Sequence, residues 1–100
     1  MATYVLAFRS APNRTPRAGE EAAWGSWFQS LGGAIADYGH RVGRVNVLGN
    51  GGAADGGNAT VLGGYIVISA DSLDAATTLA EGCPGLSNGG VVEVAEAVAS

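Results

Sequence analysis

One hundred residues, 47% apolar and 14% charged, suffice for one domain with a core of its own. The net charge of -4 is the reverse of the basic footprint that nucleic-acid backbones select, and no window approaches the roughly 18 to 20 unbroken apolar residues of a membrane span. Neither a nucleic acid nor a membrane is expected as a partner.

Residues 3–9 place Tyr4, Leu6 and Phe8 on one side and Val5 and Ala7 on the other, a strand that is apolar on both faces. The apolar start has no basic segment before it and no small-residue cleavage site after it, so it does not read as a secretory signal, and a cytoplasmic location is expected. Residues 10–19 contain Pro12 and Pro16 and form a connection that cannot pair in a sheet. Glu20 and Glu21 then stand where a helix start favours negative charge. Trp24, Trp27, Phe28 and Leu31 share one helical face, and Gly32 with Gly33 stops the helix. Gly25 inside this helix suggests a close approach by a neighbouring backbone.

Residues 34–38 and 42–48 read as a loose hairpin turning near Gly39. Residues 49–60, GNGGAADGGNAT, hold almost no large apolar group and are expected to be a mobile loop. A β-branched run at 64–70 predicts the next strand. A helix over 72–81 follows, with Asp71 and Ser72 as capping residues, Asp71 and Asp74 resembling a capping box, and Leu73, Ala76, Ala80 and Cys83 along one side. Residues 90–95 supply the last strand. The order β-α-β-β-α-β predicts an α+β, ferredoxin-like antiparallel sheet with two helices on one face.

Two small helices cannot cover both faces of strands that are apolar front and back. The expected cover for the second face is the same face of another copy, so a homodimer is predicted, with a cavity for a small-molecule ligand against the sheet.

Few residues suggest chemistry. His40, the single histidine, stands three residues after Asp37, and the pair fits a general base with its orienting carboxylate; an exposed turn residue is the plainer reading. Asp37, His40 and Asp55 have no diagnostic metal-ligand spacing, and no metal or cofactor is expected. Arg9, Tyr65 and Glu93 lie on strands, where they would line the cavity as ligand-binding residues or simply form an ion pair. The lone Cys83 has no disulfide partner and reads as a small buried hydrophobe. The glycines from Gly49 onward mimic a dinucleotide fingerprint, but no helical period follows them, and a chain without lysine cannot form a P-loop.

The stretch GGYIVISADSLDAATTLAEGCPGL followed by GGVVEV resembles the C-terminal half of YCII-related proteins, in the branch with the DGPF-type domain. Trp24 to Phe28 with Leu31-Gly32, and Val42-Gly43, resemble that family's first helix and middle segment, so the likeness spans nearly the whole chain. It implies the dimeric α+β barrel. It implies no fixed reaction: other branches carry a His and Asp pair with the histidine before the first helix, where this chain has Asn13, Arg14, Thr15, Pro16 and Arg17. The DGPF signature corresponds to Asp55, Gly56, Gly57 and Asn58, which keep its first two residues. Related dimeric barrels include monooxygenases, and related domains occur with sigma factors. His40 lies elsewhere and does not replace that histidine. The first expectation is therefore a homodimeric small-molecule-binding module, with a small enzyme in which Asp37 and His40 are the candidate acid and base, or a regulatory interaction partner, as alternatives.

Overall fold

In the computed structural model the described residues are 2–11, 14–49 and 60–98. They form strand β1 (Ala2–Ser10), helix α1 (Glu20–Leu31), strand β2 (Ile35–Arg41), strand β3 (Val61–Ala70), helix α2 (Leu73–Ala80) and strand β4 (Val91–Glu96). Short 3-10 turns at Gly32–Ala34 and Pro84–Asn88 lead into β2 and towards β4. The four strands make one sheet in the order β2-β3-β1-β4, every neighbouring pair antiparallel. This is the ferredoxin-like layout, two split β-α-β units interleaved.

The core lies between both helices and one sheet face. Tyr4 and Leu6 of β1 and Ile66, Ile68 and Ala70 of β3 are buried there with Trp27 and Leu31 of α1 and Ala76, Ala80 and Cys83 from α2 onward. Strand alternation sends these residues to one side, and the 3.6-residue period brings Trp27 and Leu31 down on them. The rings of Phe8, Trp24 and Trp27 meet edge to face, with Phe8 and Trp24 centroids 4.9 Å apart. Trp27 Nε1 donates to the Leu79 carbonyl at 3.3 Å, which ties α1 to α2.

Identifiable devices set both ends of α1 and the start of α2. Glu20 bonds the Arg14 guanidinium at 2.7 Å and accepts the Arg17 N–H at 2.8 Å, fastening the incoming chain to the first turn of α1. Gly32, at φ +52°, ends that helix. Ser72, not Asp71, caps α2: its Oγ accepts the Ala75 N–H at 3.0 Å, and no Asp71–Asp74 capping box forms. Leu73, the first residue of the eight-residue α2, leaves the expected apolar stripe and is half exposed.

Two further expectations are corrected. The predicted hairpin is a single strand, β2; residues 42–48 form no strand, and Val42 is held by one bond from its N–H to the Gly63 carbonyl at 3.0 Å. Gly25 has nothing within 4 Å of where a Cβ would stand, so no backbone approaches it. Of the expected mobile loop, residues 50–59 lie outside the described residues, and with them Asp55 and the 55–58 signature.

Candidate functional site

The second sheet face is where four strands bring the sequence candidates together. Cross-strand partners share a face, so the register defines rows running across the sheet. One row reads His40 on β2, Tyr65 on β3, Ala7 on β1 and Glu93 on β4. The next reads Asp37, Val67, Val5 and Ala95, and beyond it Ser69 pairs with Thr3. On the other side Arg9 stands beside Leu62 and Val91. Neither helix reaches this face. Val5, Ala7, Tyr65 and Val67, at its centre, are only partly buried.

The charged margin is built around Arg9. Its Nε donates to the Thr60 hydroxyl at 3.3 Å and an Nη donates to the Thr60 carbonyl at 3.0 Å. Its other Nη lies 3.5 Å from a Glu93 carboxylate oxygen. Arg9 thus joins β1, β4 and the entry to β3. Glu93 keeps a side chain that is 58% exposed, so most of its carboxylate still faces outward. The expected ion pair is present, and it leaves both groups on the open face.

His40 arrives on that face through a double irregularity in β2. The pairing with β3 shifts between Ile35 and Asp37 and again between Asp37 and His40. In the second shift Gly39 takes φ +59°, and the Asp37 carboxylate accepts the Gly39 N–H at 2.7 Å. Bulges re-aim side chains, and this one sets the His40 ring 6.2 Å from the Tyr65 ring at 60°. Asp37 is occupied by the turn. Among the described residues no hydrogen bond or ion pair joins it to His40, although the two share the face in adjacent rows.

All five sequence candidates, Arg9, Asp37, His40, Tyr65 and Glu93, therefore lie on one surface. Sequence reasoning missed Thr60, which grips Arg9, and Ala7, the dip beside Tyr65. It also missed the structural duty of Asp37, for which Asp-Tyr-Gly at 37–39 is the signal: an aspartate that bonds the backbone two residues on. Among the described residues no three His, Cys, Asp or Glu side chains gather to hold a metal ion, and Asp55 is not among them. Cys83 lies apart from the face, and its burial pushes its thiol pKa up, away from the reactive thiolate. A shallow depression between the start of α1 and the Pro84–Asn88 turn has Arg17 and Glu20 as its charged lining and does not reach the open face.

The arrangement offers an apolar floor of one aromatic and several aliphatic side chains, with a cation, a carboxylate and an imidazole at its margin. The family model described as the YCII-related domain matches residues 4–98. No curated protein and no solved structure matches the chain. No helix among the described residues is long and apolar enough to cross a membrane.

Proposed function

The chain belongs to the YCII-related domain family, and on that footing we propose that it acts as a homodimer holding a small molecule between two open sheet faces. The observation that carries this reading is the central quartet Val5, Ala7, Tyr65 and Val67. An antiparallel sheet with one face in water normally alternates to polar residues there. Here the polar residues stand at the margin, as Arg9, Glu93, His40 and Asp37, and the apolar ones in the middle. Covering the middle with a second copy removes it from water and encloses the margin groups in a cleft that fits an apolar or aromatic body with a polar end.

A second reading makes the module a small enzyme with His40 as its acid or base, supported by the bulge that turns His40 toward Tyr65. One Asp37 oxygen accepts the Gly39 N–H, so it is the other oxygen that would have to reach the imidazole to orient it.

A thermal-shift screen against small aromatic and aliphatic metabolites, repeated on His40→Ala and followed by turnover assays on each hit, separates the two. Binding without conversion by the wild type supports the binding module, whatever His40→Ala does to affinity. Conversion lost in His40→Ala supports the enzyme, and no hit from the whole panel overturns the small-molecule reading.

A further inference from the structure

The open face carries its own complement. Four strands about 4.8 Å apart put His40 and Glu93 at opposite edges of one row, about 14 Å from each other. Between them lie Tyr65, the largest side chain of the row, and Ala7, the smallest. The row thus runs basic, large, small, acidic.

Aligned sheets pack face to face with their strands within about 30° of one another. A twofold axis lying between them and parallel to the strands reverses the strand order, so that β2 faces β4 and β3 faces β1 of the other copy. Tyr65 then stands over Ala7 of the partner subunit, and Val67 over Val5 of the partner subunit. His40 meets Glu93 of the partner subunit, and twofold symmetry repeats each contact. A twofold axis across the strands instead sets each strand over its own copy: Glu93 then meets Glu93 or Ala95, and Tyr65 meets Tyr65 or Val67. It leaves the carboxylate without a counterpart and pairs bulk with bulk.

We infer that the homodimer, on which this inference rests, is registered by His40 of one copy and Glu93 of the other, each pair closing one end of the cleft. The contact needs little rearrangement. His40 is exposed, and the Glu93 carboxylate has Arg9 at 3.5 Å as its partner within the chain. An imidazole in either protonation state can donate to a carboxylate. At about 7 Å from the axis, a 30° crossing displaces the edges by about 4 Å, within reach of a glutamate side chain. The groups facing this contact are Tyr65 beside His40, Asp37 in the adjacent row, and Arg9 beside Glu93.

The test is a double-mutant cycle on self-association of the full chain, read as the dimer Kd by sedimentation for wild type, His40→Glu, Glu93→His and the double variant. Both positions are exposed, and a circular dichroism spectrum of each variant checks that it keeps the fold. Within one chain the two sites are too far apart to couple. Each single change is expected to weaken the dimer about tenfold or more, and the double variant to be at least about tenfold tighter than the product of the single effects. A dimer whose single effects simply multiply overturns the pairing while leaving the homodimer standing. A wild-type monomer at micromolar concentration overturns both.

Discussion

A methyl group at Gly39 would land on the Tyr65 carbonyl oxygen and 2.9 Å from Tyr65 Cδ2, and Gly39 itself sits at φ +59°. The bulge that brings His40 beside Tyr65 therefore depends on a residue with no side chain. Gly39→Ala is predicted to cost about 2 to 3 kcal/mol in urea unfolding, from left-handed backbone strain and the clash together. A loss below about 0.5 kcal/mol would mean that β2 passes β3 differently.

Neighbouring residues on β3 separate the two faces. Ile66 is 2% exposed beneath the helices, whereas Val67 points to the open face. Ile66→Ala should lose about 2 to 5 kcal/mol at every protein concentration. Val67→Ser should lose apparent stability that depends on concentration, because its cost falls on association. Equal, concentration-independent losses would contradict the assignment of the faces.

How much of this was legible in the chain depends on whether a residue's role was local. The aromatic stripe of α1 and the alternation of β1 and β3 announce their buried sides, because 3.6 and 2 are periods that one sequence carries by itself. Ser72 and Asp71 are both capable caps, and only the position at which α2 starts, with Ser72 extended just before it, decides between them. Residues 42–48 carry Val45 and Val47 in strand-like alternation, but β2 takes β3 and not this segment as its partner, and alternation alone does not name the partner. The grouping of Arg9, His40, Tyr65 and Glu93 was not legible as a row. It depends on a register that three irregularities shift, one between Phe8 and Arg9, one between Ile35 and Asp37, and one around Gly39.

The Arg14–Glu20 pair gives a pH signature. The Arg14 hydrogen bond, and then the Arg17 N–H, hold the Glu20 carboxyl below its ordinary value. A carboxylate whose folded pKa is depressed stabilises the fold above its unfolded pKa, and that contribution is lost as pH falls through the folded value. Wild type should therefore exceed Glu20→Gln in Tm near neutral pH, and the gap should close as the pH falls through the depressed folded value. A gap that persists in acid would show that the pair contributes through packing alone.

Cys83 is 2% exposed, and burial raises its pKa. Its reaction with a thiol-specific disulfide reagent should be slow in the native protein and should accelerate at the urea concentration where the fold is lost. Prompt native-state labelling would contradict the packing of the turn after α2.

Sedimentation of wild type beside Val67→Glu decides most directly whether the open face belongs to a second copy. The prediction is a wild-type dimer at micromolar concentration and a folded monomer for Val67→Glu, because two carboxylates cannot be buried unpaired at the centre of the interface. A wild-type monomer, or a Val67→Glu variant that associates as tightly as wild type, would contradict it.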